Sequence, residues 1–212
     1  MILGVAPELW ASLATVTGIW LVTVISPGPN FVATAHAAVT DSRRAGLLVT
    51  AGIALGTTIW AAASLLGLAL LFETAGWLYQ AVRIAGAAYL VFVGLRMILT
   101  ARSTALATPG AVRPRGALAA FRHGLLTDLS NPKAAAFFTS LFAVAVPPTA
   151  PLWFALAIIT LVVVIAAGWY GLVAWVIATG PVAAAYRRLR HLIAYLTGTL
   201  FVGFGLRLAA ER

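Results

Sequence analysis

"VISPGPNFVATAHAAV", residues 24–39, breaks a long apolar run with two prolines and a glycine. The run extends from about residue 9 to residue 39. As one α-helix it would be about 46 Å long at 1.5 Å per residue, against roughly 30 Å for the hydrocarbon core of a bilayer. Pro27, Gly28 and Pro29 therefore fall near the middle of a segment too long for one straight crossing. A proline inside a helix removes a hydrogen bond and clashes with the preceding turn. The length and the prolines together predict two half-helices joined by a break at membrane depth.

The whole chain supports a membrane setting. Of its 212 residues, 62% are hydrophobic and only 9% are charged. A soluble domain carries about 25% charged residues, and this chain has too few to cover a surface facing water. An all-α integral membrane protein is expected. The net charge of +9 comes from 14 basic and 5 acidic residues. The arginines sit in short gaps between apolar runs, which points to membrane orientation and not to nucleic acid. With no cysteine, disulfides, thiol redox chemistry and cysteine metal sites are excluded. No basic stretch precedes the first apolar run, so a cleaved signal peptide is not expected. Nucleophile elbows, phosphate loops and paired catalytic carboxylates are missing. Neither an enzyme nor a cofactor is expected, and transport would be driven by an ion gradient or by the solute's own gradient.

Six apolar segments are long enough to span: roughly 9–39, 45–72, 77–99, 118–146, 152–178 and 190–209. The fourth resembles the first. It carries "SNPKAAAFF" (130–138) in its middle, and its part after Lys133 is too short to cross alone. Both segments read as broken helices. Basic residues crowd alternate gaps: Arg43 and Arg44; Arg102, Arg113 and Arg115; Arg187, Arg188 and Arg190. The remaining gaps are nearly bare, so both termini are expected to face away from the cytoplasm. The polar linker 101–116 divides the single transmembrane domain of 1–212 into two triplets, about 1–100 and about 117–212. "LVFVGLR" (90–96) ends one and "FVGFGLR" (201–207) ends the other, while Pro29 and Pro132 hold matching places in segments 1 and 4. Three helices is an odd number, so a second copy enters from the opposite side. The expectation is an inverted-topology repeat, with a solute site where the paired breaks meet.

The chemistry of those breaks follows from backbone groups that proline leaves unpaired. In lipid these must be satisfied by protein or by water in a cavity. Half-helices beginning at Asn30 and Lys133 each offer a positive N-terminus that suits a carboxylate. Lys133 adds a cation; Asn30 and Asn131 add amide donors and acceptors. Such a set fits a small zwitterion. Asp128 is costly in a membrane segment unless paired; it pairs with Arg122 or Lys133, or it carries a proton. Asp41 is a second proton candidate, or an offset to Arg43 and Arg44. His36 reads as a packing or interfacial residue, because no second histidine or acidic cluster accompanies it to form a metal site. Gly52 and Gly56 allow close helix packing, and Trp10, Trp77, Trp153 and Trp175 lie near segment ends as an aromatic belt does.

Three stretches carry a family resemblance. "SPGPNFVATAHAAVTDSRRAGLLVTAGIALG" (26–56), "AGAAYLVFVGLR" (85–96) and "SNPKAAAFFTSLF" (130–142) resemble the motifs of the LysE/RhtB superfamily of amino-acid exporters, in the same order and over most of the chain. The resemblance implies a bacterial inner-membrane exporter of small amino acids or derivatives, coupled to proton uptake. It implies that Pro27, Gly28, Pro29, Asn30, Asn131, Pro132 and Lys133 carry the family motif. Basic amino-acid exporters of the superfamily have carboxylates within the membrane. Segment 2 here has only Thr57 and Thr58 at its core, and no acid follows Lys133. A buried unpaired cation is costly, so a neutral substrate such as threonine, homoserine or a branched-chain amino acid is expected, with Thr57 at its site. The alternatives are a cation or metal exporter of similar fold, and a membrane scaffold that transports nothing. A homo-oligomer is compatible with the sequence.

Overall fold

The computed structural model describes residues 7–74, 76–101, 116–131, 133–135, 137–138, 142, 146–147, 150–176 and 180–210. Pro132 and most of the linker 101–116 lie outside the described residues. Among the described residues every regular element is α-helical.

The first segment is broken where the prolines stand. α1 (Pro7–Ile25) ends before Ser26, and α2 (Pro29–Thr40) begins at the second proline. Pro29 is tolerated there because a helix's first N–H groups have no intrahelical partner. Gly28 is extended at the N-cap, with φ −172°. Ser42 Oγ accepts from Ala45 N–H at 3.1 Å, and α3 (Arg43–Thr74) follows, then α4 (Gly76–Thr100). The fourth segment is also interrupted: α5 (Ala117–Leu129) stops before Ser130, and residues 133–135, 137, 138 and 142 are helical again. α6 (Leu152–Val176) and α7 (Gly180–Ala210) complete the chain. α7 starts about ten residues before the apolar run at 190–209, so Arg187, Arg188 and Arg190 lie on helix and not in a loop. Polarity marks where lipid ends; it does not end a helix, and arginine, leucine and alanine, which fill residues 184–190 with one tyrosine, are good helix formers.

Three helices are long and apolar enough to cross a membrane by length and composition: Pro7–Ile25, Arg43–Gly67 within α3, and Leu152–Val176. Shorter apolar stretches occupy Ala87–Thr100 and His191–Gly203. The burial pattern is that of a membrane protein. Leu66, Ile84, Leu99, Leu126, Val164 and Leu172 are exposed, while Asn30, Thr34, Thr57, Asp128 and Asn131 are buried. The four belt tryptophans are all exposed. Trp175 carries the Arg43 guanidinium 5.2 Å from its ring centroid, a cation–π contact between α3 and α6.

Lipid tails are as apolar as leucine, so helix association here relies on close van der Waals packing. Glycines supply it. A Cβ at Gly52 would run into the Phe121 carbonyl of α5, and one at Gly124 into the Val49 carbonyl of α3. Gly46 packs against Ala38 of α2 and Ala174 of α6. On the other side of the molecule, a Cβ at Gly94 would lie 2.6 Å from the Gly198 carbonyl, and one at Gly198 2.6 Å from the Gly94 carbonyl. The register is informative. Val49 of α3 meets Gly124 of α5, Gly52 meets Phe121 and Leu125, and Gly56 meets Asp128 further along both chains, whereas Ala87 meets Gly205 and Gly94 meets Gly198. α3 and α5 therefore run parallel, and α4 and α7 antiparallel. Beside Lys133, the rings of Phe137 and Phe138 pack on Trp20 of α1 at centroid distances of 4.4 and 5.0 Å. This ties the second broken segment to the first.

Candidate functional site

Each break leaves carbonyls without their helical donors, and the other half of the chain supplies replacements. In a helix, Thr23 O would accept from the N–H of residue 27. That residue is Pro27 and has none. Lys133 Nζ donates to Thr23 O at 2.9 Å and to Ser26 O at 3.1 Å. A cation at the carbonyl end of a helix is also favoured by the helix dipole. The second break repeats the logic. Asp128 O would accept from residue 132, a proline; it accepts instead from Asn131 N–H at 3.0 Å and from the Trp60 indole N–H at 3.2 Å. The first break is thus capped by the second broken segment, and the second by its own Asn131 and by Trp60 of α3.

The half-helix N-termini differ. Asn131 Oδ1 accepts from Lys133 N–H at 3.0 Å, a side-chain cap on the second half-helix. Gly28 at the N-cap of α2 has no side chain to do the same. Its missing Cβ has another use: one there would stand 3.1 Å from Lys133 Nζ and 3.4 Å from its Cε. The lysine head rests on this glycine.

Asp128 is fully buried on the last turn of α5. Its partner is neither Arg122 nor Lys133: Asn30 Nδ2 donates to Asp128 Oδ1 at 2.6 Å. Arg122 is exposed on a different face of α5. The carboxylate rests on α3, where a Cβ at Gly56 would lie 2.6 Å from Asp128 Oδ2. Thr57 stands beside it without a hydrogen bond of good geometry. The site therefore contains an acid, although segment 2 and the stretch after Lys133 hold none. α5 ends at the break, so its last turn delivers Asp128 to that depth.

The expected residues divide accordingly. Gly28, Asn30, Thr57, Asp128, Asn131 and Lys133 come together around the two breaks, with Pro27 and Pro29 shaping the first. Pro132 lies outside the described residues. Asp41 does not join them. It is exposed at the C-cap of α2, 11 residues past Asn30, or roughly 16 Å along the helix.

Five polar atoms of this region are buried without a hydrogen-bond partner: Ser26 Oγ, Asn30 Oδ1, Thr34 Oγ1, Thr57 Oγ1 and Asp128 Oδ2. Trp169 Nε1 of α6 is a sixth. Buried polar groups are ordinarily satisfied, and these lie close to the Asp128 carboxylate and the Lys133 ammonium. The sequence reading missed Ser26, Thr34 and Trp60, and named Gly56 for packing alone. One signal was available: the i−4 rule applied to Pro27 and Pro132 names Thr23 and Asp128 as residues with freed carbonyls.

Broken helices that meet inside an apolar bundle, with polar groups turned inward, define a membrane protein of the transporter type. The chain belongs to the LysE type translocator family, whose pattern it matches over residues 21–212. It is 34% identical over 203 residues to the threonine efflux protein of Escherichia coli (strain K12), covering 93% of this chain and 97% of that one. The threonine efflux protein of Salmonella typhi is similar to the same extent. The leucine efflux protein of Salmonella choleraesuis is 31% identical over 194 residues, covering 88% of this chain and 89% of its own. No solved structure matches.

Proposed function

We propose that this protein is a secondary transporter that exports small neutral amino acids, binding each as a zwitterion between Lys133 and Asp128. One observation carries the reading. A buried carboxylate and a lysine ammonium stand at the same pair of breaks, each held by protein partners and not by each other. The substrate ammonium is received by Asp128 Oδ2 with Thr57, both unpartnered. The substrate carboxylate is received by the Lys133 ammonium, whose protein partners are two neutral backbone carbonyls that a full negative charge outcompetes. The two charges cancel, so a neutral amino acid fits and a cationic side chain lacks a counter-charge. The names of the relatives, threonine and leucine efflux proteins, favour export and a neutral side chain.

The same carboxylate oxygen serves a proton or an ammonium, but not both. Competition between them at Asp128 gives proton antiport, with Asp41 a surface residue apart from the exchange. The parallel α3/α5 pair and the antiparallel α4/α7 pair support six crossings arranged as two inverted repeats, about 1–100 and about 117–212, joined by the linker 101–116. On the arginine distribution, the chain sits in the bacterial inner membrane with both termini outside the cytoplasm.

The test is efflux from vesicles preloaded with a mixture of amino acids and read by mass spectrometry. Selective loss of one or a few neutral amino acids, faster with an inward proton gradient, is expected. Retention of every neutral amino acid, or efflux of a metal ion in their place, would refute the reading.

A further inference from the structure

We propose that Lys133 makes the substrate's carboxylate compulsory, because the ammonium that binds it is also the pin that holds the α1–α2 hinge shut. This rests on the zwitterion site described above and adds to it the step by which occupancy is sensed.

The hinge is the three residues Ser26, Pro27 and Gly28, between the end of α1 and the start of α2. Thr23 O has lost its helical donor to Pro27, and Ser26 O lies past the last residue of α1. Lys133 Nζ is the side-chain donor both of these carbonyls have. It reaches across from the other break, 107 and 110 residues away in sequence. Gly28 gives the ammonium room, with 3.1 Å from Nζ to where a Cβ would be. Pro27 has no N–H to offer them, and the Ser26 hydroxyl makes no hydrogen bond in this structure.

A carboxylate is a stronger acceptor for an ammonium than a peptide carbonyl is, because the bond gains a second full charge. An arriving α-carboxylate therefore draws the Lys133 head away from Thr23 O and Ser26 O. The carbonyl end of α1 is then uncapped, and the hinge is free to move. An amine without a carboxylate can occupy Asp128 but leaves the pin in place. Selection for α-amino acids is thus coupled to movement, not only to affinity. Gly28 acts as a positioning residue, by seating the pin.

The chain has no native cysteine, and Ser26 is fully buried with an unpartnered hydroxyl, so Ser26→Cys reports hinge opening at small structural cost. The reaction of this thiol with a membrane-permeant maleimide is followed in proteoliposomes, with and without a transported amino acid whose binding is measured in parallel. Labelling is expected to be slow alone and faster by about tenfold or more with the amino acid, the scale set by losing hydrogen bonds to a charged group. Adding Lys133→Gln should give fast labelling without substrate and no further response to it. Gly28→Ala should be intermediate, and Lys133→Arg, which keeps a cation, slow. If the amino acid binds and labelling is unchanged, or if Lys133→Gln labels as slowly as its parent, the pin is overturned. If no amino acid binds, the zwitterion site fails, while the Lys133→Gln arm still tests the pin.

Discussion

The bond between Asn30 and Asp128 joins the two broken helices at their polar centre, and its removal has a calculable effect. Asn30 Nδ2 lies 2.6 Å from Asp128 Oδ1, both residues are buried, and 98 residues separate them in sequence. A hydrogen bond to a charged group contributes about 1.5–3 kcal/mol, and a neutral one about 0.5–1.5 kcal/mol. Asn30→Ala leaves the carboxylate oxygen without its donor and should cost about 1.5–3 kcal/mol. Asp128→Asn keeps an acceptor for the Asn30 amide but loses the charge. In that background Asn30→Ala should cost only about 1 kcal/mol. The difference is a coupling energy of roughly 0.5–2 kcal/mol, which a double-mutant cycle isolates. The assay is reversible unfolding in mixed micelles of increasing denaturing-detergent fraction, read by fluorescence of the buried Trp20 and the partly buried Trp60. If Asn30→Ala costs the same in both backgrounds, or less than about 0.5 kcal/mol in the first, the two residues do not interact as described.

Other expectations follow from particular contacts. Gly56→Ala puts a methyl group 2.6 Å from Asp128 Oδ2; export should fall at least about tenfold with the protein still present in the membrane, because small shifts in a binding geometry are costly. Gly124→Val drives a side chain into the α3 backbone at Val49 and should cost about 1–3 kcal/mol or more through overpacking, seen as a lower unfolding midpoint in the same micelle assay. Single cysteines at Ser42, Gly110 and Arg188 should react with an impermeant thiol reagent from the cytoplasmic side alone; reaction of the Gly110 position from outside would overturn the orientation.

The breaks were legible in the sequence for physical reasons. Pro27 and Pro29 cannot lie inside a straight helix, and the run that holds them is too long for one crossing. The apolar runs were equally plain, and α2, α3, α4 and α6 end within a few residues of the runs that announce them. α7 was read too short because Arg187, Arg188 and Arg190 were taken to end a helix, when they end only its apolar part. The pairing of Asn30 with Asp128 left no trace in the sequence. Nothing local distinguishes an aspartate bound to a distant amide from one bound to Arg122, and an argument from absent acids overlooked a carboxylate delivered by the end of α5. The sequence offers Lys133 as a substrate cation or a partner for Asp128, and not as a helix cap, because backbone carbonyls have no letter. Only the i−4 relation of Pro27 to Thr23 hinted that it also had a structural partner.

The central claim is that one neutral amino acid bridges Lys133 and Asp128. Its most direct test is calorimetric binding of a transported amino acid to the purified wild-type protein and to Lys133→Gln and Asp128→Asn, each shown to be folded. Saturable binding to the wild type and a loss of at least about a hundredfold in each variant is expected, since a hydrogen-bonded charge pair that loses one partner costs 2–5 kcal/mol or more. Wild-type affinity retained in either variant would contradict it.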